Sequence, residues 1–318
     1  MATKLSTLPV SAASSAAVKK SRRLTIAFAF LAIYVIWGST YLAIRFAVET
    51  IPPLYTAGFR HFTAGSILLA WCLAKRIYPT WAQIRSSMVI GFFFFLIGHG
   101  SLHWAEQKVP SGLASLLIAT EPIFVFMLAS AAARRWRVNA QLLLGAALGL
   151  GGVALLMGKT TLTSTPGMFI AAIAILIGGL SWSAGIIYSR TSNLSGQPLL
   201  LSSLSSLSGS VLLLIAATVT GEYRGFSLAS VTPRSWAALV YLILFGSVTA
   251  FTAYNWLLEH YSPTLVATHT YVNPIVAVLL GWFFAGEAIT LNVCLSAALV
   301  IFAVFLVDRG TAKLPPLK

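Results

Sequence analysis

One carboxylate sits where carboxylates are expensive. Glu121 stands ten residues into an apolar run, residues 111–133, and Pro122 follows it directly. At 1.5 Å per helical residue that is about 15 Å from the end of the run. A carboxylate at such depth in hydrocarbon costs about 2.5–3.5 kcal/mol on insertion scales. Three kinds of chemistry suit it: counter-ion to a substrate amine, proton site, or a neutral acid bonded to a carbonyl freed near Pro122. A shift of 152 positions finds Asn273-Pro274 in a second run, 264–285. Arg60 and His61 lie six and seven residues into another run. Arg60 either snorkels to an interface or lines a cavity, where it meets a substrate carboxylate or Glu121. His61 points elsewhere around the helix, because adjacent residues do not share a face. His99 and His103 are four apart and do share one. An HxxxH pair suits a metal, but the chain has five histidines and no histidine box. Cavity lining or helix-to-helix hydrogen bonding is therefore expected of the pair, with no metal and no cofactor. Tyr34, Trp37 and Tyr41 form one helical stripe. Trp37 recurs as Trp182 at a shift of 145 and sits too deep for an aromatic interface belt. It is read as cavity wall. The second half offers Asn255, Trp256, His269 and Asn273 for the same role.

The elements that must position these residues are membrane spans. Of 318 residues, 58% are hydrophobic and 9% charged, and the mean hydropathy is +0.87. Soluble domains are nearer a quarter charged. Ten runs are long enough to cross a bilayer: 24–44, 54–74, 87–105, 111–133, 139–158, 167–188, 198–220, 236–258, 263–285 and 289–307. Alternating strand patterns of a membrane barrel are absent. The expected fold is all-α, a polytopic protein of ten transmembrane helices. The net charge of +14 lies in short loops between apolar runs, which fits positive-inside topology rather than nucleic-acid binding. With the N-terminus inside, cytoplasmic segments hold 15 of the 21 Lys and Arg, the opposite side 5, and Arg60 lies within a span. Both termini are placed in the cytoplasm on that split. Residues 1–23, rich in Ala and Ser, read as a disordered cytoplasmic tail, and 308–318 as a second one. Ser21-Arg22-Arg23 is similar to a twin-arginine signal, but a full span follows with no small-residue cleavage site. Cys72 and Cys294 fall inside spans, in no metal or disulfide spacing, and are expected to be apolar filler.

Ten spans divide into halves of five, 24–158 and 167–307, and an odd number per half makes the repeats inverted. At the 152 shift, Trp104, Leu113, Pro122, Ile123 and Leu128 fall on Trp256, Leu265, Pro274, Ile275 and Leu280. At 145, Trp37 and Arg45 fall on Trp182 and Arg190. Inverted repeats with interrupted helices near the midplane are the architecture of secondary transporters. Gly145 and Gly149 form a GxxxG, a close helix contact either within the bundle or between the protomers of a homodimer.

Residues 37–60, WGSTYLAIRFAVETIPPLYTAGFR, resemble the opening of EamA-domain proteins of the drug/metabolite transporter superfamily. Residues 273–290, NPIVAVLLGWFFAGEAIT, are similar to the end of the second EamA repeat, including Gly286-Glu287. The resemblance covers roughly 24–308. It implies two inverted EamA-like repeats and export of small metabolites or drugs across the inner membrane. The chain departs from it at Arg134-Arg135, which stand where the first repeat would carry Gly-Glu. Glu287 is thereby left without a counterpart.

The residues favour a secondary transporter working by alternating access on a small-molecule substrate, metabolite, amino-acid-like compound or drug. No Walker A motif is present, so drive must come from a gradient, with proton coupling through Glu121 one reading, or from the substrate's own concentration. An enzyme is not expected: Ser206-Leu207-Ser208-Gly209 is superficially like an intramembrane serine protease but lacks the first glycine. A channel or accessory membrane subunit is the other alternative, and neither a charged ring nor a carbonyl-rich filter is visible.

Overall fold

The computed structural model describes residues 24–132, 139–156, 167–261, 266 and 268–312, apart from the side chains of Leu156, Asn255, Leu258, Glu259, Asp308, Thr311 and Ala312. The expected tail over 1–23, Arg134-Arg135 and the ends of several expected loops lie outside the described residues. The described residues are helical rods with short links and no strand. In chain order they are α1 (Leu24–Ala47), α2 (Pro53–Ala74), α3 (Trp81–Ala105), α4 (Ser111–Ala132) and α5 (Ala140–Leu156). There follow α6 (Met168–Thr191), α7 (Pro198–Val219), α8 (233–260), α9 (His269–Ala285) and α10 (Leu291–Ala312). Six are long and apolar enough to cross a membrane: α1, α3, α4, α6, α7 and α8 over Pro233–Tyr254. Apolar stretches of α5, α9 and α10 are shorter.

Local chemistry explains where the helices depart from the apolar runs. α3 begins six residues before its run because Thr80 and Gln83 form a reciprocal capping box. α8 begins three residues early, where Thr232 caps it from the Ser235 N–H and Pro233 occupies the first turn. α4 is not continuous. It ends at Ile118, turns through Ala119-Thr120 and restarts at Glu121, because Pro122 cannot donate to the preceding turn.

Three helices contain π-helical stretches: α1 over Ala32–Ile36, α3 over Phe92–His99 and α8 over Leu242–Thr249. The widened ladder leaves carbonyls short of partners, and such stretches are frequent at functional sites. No feature of the apolar runs signals them.

α2 packs most extensively on α7, and α5 on α10. α1 lies against α8 and α9, as α6 lies against α3 and α4. Small residues make these approaches close. Gly145 and Gly149 face Ala303 and Val307 of α10 and Ile123 of α4, so the GxxxG is used inside the bundle. Gly209 of α7 meets Phe95 and the Gly91 carbonyl. The neighbouring Ser208 hydroxyl donates to the Ser87 carbonyl, 2.6 Å away, and Ser205 and Ser210 donate to carbonyls of their own helix. These hydroxyls satisfy backbone; they are not held by a base. Cys72 is buried beside the Ser203 hydroxyl. Cys294 is exposed, contrary to its expected role as filler. Large apolar side chains such as Phe28, Trp81, Phe169, Val219 and Phe283 face outward, the surface a bilayer solvates.

Candidate functional site

Two aromatic clusters flank the centre. In the first, Trp37 of α1 packs on Phe251 and Tyr254 of α8 and on His269 of α9, with ring centroids 5.6, 5.1 and 4.9 Å away. Its indole N–H donates to the Gly246 carbonyl at 3.1 Å, inside the π-helical stretch of α8. In the second, Trp182 of α6 stacks on Phe94 at 4.2 Å and on His99 at 5.2 Å, both in the π-helical stretch of α3. The two tryptophans paired by the sequence each meet the π-helical stretch of the other half, Trp37 through its indole N–H and Trp182 through ring stacking. At Trp37 a carbonyl loosened by that geometry accepts an indole N–H that would otherwise be orphaned in hydrocarbon.

The histidines divide between the clusters. A ring-to-ring hydrogen bond of 2.8 Å joins His61 Nε2 and His99 Nδ1. His61 and His99 therefore face each other across α2 and α3, and His61 belongs with the cluster rather than elsewhere. His103 donates from Nδ1 to the His99 carbonyl at 2.8 Å. Among the described residues, no His, Cys, Asp and Glu group is arranged to hold a metal. His269 donates from Nδ1 to the Val266 carbonyl at 2.9 Å.

Asn273 is buried in α9. With its amide turned to donate, the nitrogen reaches the carbonyls of Ile33, Tyr34 and His269 at 3.3, 3.1 and 3.0 Å. Two of those carbonyls belong to the π-helical stretch of α1, so Asn273 satisfies backbone that this stretch exposes. Glu121 occupies the matching place in α4 and is used differently. Its carboxylate is partly buried and has no direct hydrogen bond or ion pair among the described residues. Tyr41 of α1 and Tyr254 of α8 lie within electrostatic reach of it. Its backbone carbonyl accepts from Ser183 of α6 at 3.4 Å.

Arg60 does not snorkel. It is 3% exposed, and Nε donates to the Ser247 hydroxyl of α8 at 3.0 Å. The anticipated Arg60–Glu121 ion pair is not present among the described residues, because the guanidinium is turned toward α8. Trp256 stacks on His260 at 4.4 Å near the end of α8 and packs against the same buried cluster as Trp37. Asn255 lies on α8, and its side chain is outside the described residues.

Reading the spans for polar residues missed Glu106, because it falls just past the end of its apolar run. It is 1% exposed, and both carboxylate oxygens lack a hydrogen-bond partner. Its position after His103, one turn on, was the available signal. Glu287 was noticed but given no role. Its carboxylate accepts from the Ser111 N–H (2.6 Å), the Ser111 hydroxyl (2.8 Å) and the Gly112 N–H (2.9 Å), and Arg45 lies 3.6 Å away. It therefore caps the start of α4, where orphan N–H groups and the helix dipole favour an anion. Beside it is a cleft of about 490 Å³, bordered by Pro110, Leu113, Met168 and Val293. Its mostly apolar lining shares no residue with the aromatic clusters.

The EamA-like transporter family model matches residues 24–158 and again 169–308. The chain belongs to that family. It is 36% identical over 291 residues to the uncharacterized inner membrane transporter YedA of Escherichia coli (strain K12), covering 90% of this chain and 92% of that one. It is 23% identical to the uncharacterized transporter YoaV of Bacillus subtilis (strain 168), covering 87% and 94%. It is 25% identical to the protein PagO of Salmonella typhimurium, covering 90% and 93%. A solved crystal structure matches 93% of this chain with a TM-score of 0.61 at 18% identity, covering 99% of its own chain; that likeness concerns the fold alone. The chain is thus a multi-pass membrane transporter of the EamA family.

Proposed function

We propose that this EamA-family chain is a secondary transporter of the inner membrane, with ten spans in two inverted five-helix repeats and both termini in the cytoplasm. It moves a small metabolite, amino-acid-like compound or drug outward by alternating access. The observation that carries this reading is the break in α4 at Ala119-Thr120, which presents Glu121 to α1 and α8 without a fixed partner. A spanning helix broken at a carboxylate, packed against one that carries Asn273-Pro274 within it, fits a midplane transport site. The repeat is supported by the paired packing of α2 on α7 and α5 on α10. It is supported again by the contact that Trp37 and Trp182 each make with the π-helical stretch of the other half. The inner-membrane setting is supported by YedA. No nucleotide-binding motif occurs in the sequence, so drive falls to a gradient. Cells overexpressing the protein should resist a subset of toxic metabolite analogues and lose them faster from the cytoplasm. Purified protein in liposomes should show saturable counterflow of the same compounds. A flux that never saturates would favour a channel, and no flux with any compound that gives resistance would overturn the reading.

A further inference from the structure

Resting on that transporter reading, we propose that the Gly178 and Gly179 carbonyls of α6 are the docking site of protonated Glu121 in the opposite-facing state, as the Ile33 and Tyr34 carbonyls of α1 are that of Asn273 in this one. The two halves hold the same pair of helices in two forms. In one, α9 is continuous through Asn273, whose amide, turned to donate, reaches two carbonyls in the π-helical stretch of α1. In the other, α4 is broken before Glu121, and α6, on which it packs, is α-helical throughout. The Glu121 carboxylate has no ion pair among the described residues. Each form is what its polar residue permits. An amide nitrogen donates to carbonyls, an ionised carboxylate only accepts, and a proton turns that carboxylate into a donor.

The register of the two forms agrees at separate contacts. Trp37 meets Gly246 and Trp182 meets Phe94, and these residues match at the shifts of 145 and 152. Gly38 and its match Ser183 approach the same carbonyl in each half. A Cβ on Gly38 would lie 3.1 Å from the Asn273 carbonyl, and Ser183 Oγ lies 3.4 Å from that of Glu121. The π-helical stretches of α3 and α8 overlap under the 152 shift. That of α1 instead falls on 177–181, which are α-helical. Ile33 and Tyr34 fall on Gly178 and Gly179.

These glycines suit an approaching donor, because no side chain covers their carbonyls. A Cβ on Gly179 would meet Phe124 of α4 at 3.6 Å, so this turn of α6 already lies beside the turn that follows Glu121. Widening α6 here would loosen carbonyls as it does in α1, and buried carbonyls need donors. The proton comes from water and returns to it, and no other bond breaks. The titratable groups within electrostatic reach of Glu121 are Tyr41 of α1 and Tyr254 of α8, and Arg190 of α6 reaches Tyr254. Otherwise α6 carries Tyr188, α10 carries Cys294, Asp308 and Arg309, and α5 carries none.

The test is hydrogen–deuterium exchange of the full-length protein in detergent, read over residues 117–124 of α4 and 176–184 of α6. Glu121→Gln is a permanent donor of the same size. At one pH it should speed exchange in the α6 segment and slow it across the break in α4, each by at least about tenfold. Glu121→Ala should leave both segments as in the wild type near pH 8. Taking the wild type from about pH 8 to about pH 5, with intrinsic rates corrected, should move both segments toward the Glu121→Gln values. Glu121→Gln exchanging like Glu121→Ala, or a wild type without this response, would overturn the docking site. Gly179→Val crowds the approach from α4 and should abolish the response. A Gly179→Val protein that melts normally and still responds would overturn the site as well. The expected exchange pattern with no counterflow in liposomes would keep the docking site and overturn the transporter reading instead.

Discussion

Ser111 gives Glu287 two hydrogen bonds, one from its backbone N–H and one from its hydroxyl. The two residues are 176 positions apart. The contact ties the loop after α9 to the first turn of α4, and Arg45 at the end of α1 adds its charge. Gly286 makes the geometry attainable. It adopts φ 64° in the left-handed region, and this turns the chain so that Glu287 points back at α4. Arg234 and Glu49 pair at the same end, joining α8 to the link after α1. Arg134-Arg135, the sequence counterpart of Gly286-Glu287, has no carboxylate with which to make the matching contact.

Removing this contact should loosen one end of the bundle. Charge-assisted hydrogen bonds contribute about 1.5–3 kcal/mol and neutral ones about 1. Ser111→Ala should cost about 1 kcal/mol, because the backbone donors remain, and Glu287→Ala about 2–3. Melting of the detergent-solubilised protein measures both, and the double mutant should cost less than their sum. A Glu287→Ala protein that melts with the wild type would show that the contact contributes nothing.

The helical character was legible in the sequence, since it rests on the apolar runs, and six of the helices are long and apolar enough to cross a membrane. The polar centre was only half legible. Arg60, His99 and His103 stand out as polar residues in apolar runs, whereas the direction in which Arg60 turns depends on Ser247, 187 positions away. Glu106 was hidden because it lies outside its run and is buried by tertiary packing. The π-helical stretches were hidden for another reason. Phe92–His99 and Leu242–Thr249 are as apolar as any helix interior, and hydropathy carries no record of ladder register.

Sidedness follows from the charge split. In a protein with Cys72 and Cys294 replaced by alanine, a single cysteine at Ser230 should react with impermeant maleimide from outside intact cells. Cysteines at Lys75 and Ser195 should react only after the membrane is opened. All three positions are exposed. Gln83 is unsuitable, because it is buried and bonded to Asn193 and Gln197. Labelling at Lys75 from outside would reverse the topology.

Trp37 and Trp182 separate wall from packing. Trp37→Phe keeps the ring contacts with Tyr254 and His269 and loses only the bond to Gly246, so melting should fall by about 1 kcal/mol. Trp182→Ala removes the stack on Phe94 and His99. Aromatic pairs are worth about 0.5–1.5 kcal/mol beyond area, so transport should fall several-fold at normal membrane levels. Loss of the protein from the membrane, with residual transport per molecule unchanged, would assign Trp182 to packing alone.

Glu222 offers a pH signature away from the spans. It sits in the turn after α7 and accepts from the Leu54 and Tyr55 N–H groups at the start of α2. Burial pushes its carboxyl above the usual range, although those bonds pull the other way. A raised folded pKa means that the folded state holds the proton to higher pH than the unfolded chain does. That contribution to stability is present below the unfolded value and is lost as pH rises through the folded one. Glu222→Gln keeps an acceptor for the cap and cannot ionise. Its melting temperature should therefore gain on the wild type as pH rises from about 4 to 7. A gain by the wild type over that interval would show that capping by the charged form outweighs burial.

Glu121 decides the mechanism. A carboxylate inside a bilayer needs a cation or water when ionised, and otherwise holds its proton. Here it opens the second piece of α4 with no bonded partner, while its counterpart Asn273 is fully engaged with backbone carbonyls. One half of the molecule thus presents a group free to exchange partners, and the other half a fixed amide. Glu121→Gln keeps shape and removes titration, so it should insert and melt as the wild type does. Counterflow, which needs no net driving force, should persist, whereas uphill transport driven by a pH gradient should be lost. Glu121→Asn should fail in both, because the shorter chain cannot reach whatever the wild-type carboxylate meets. Uphill transport by Glu121→Gln with the wild-type pH dependence between about pH 6 and 8 would remove the residue from coupling. Glu121 would then be a hydrogen-bonding group at the break in α4.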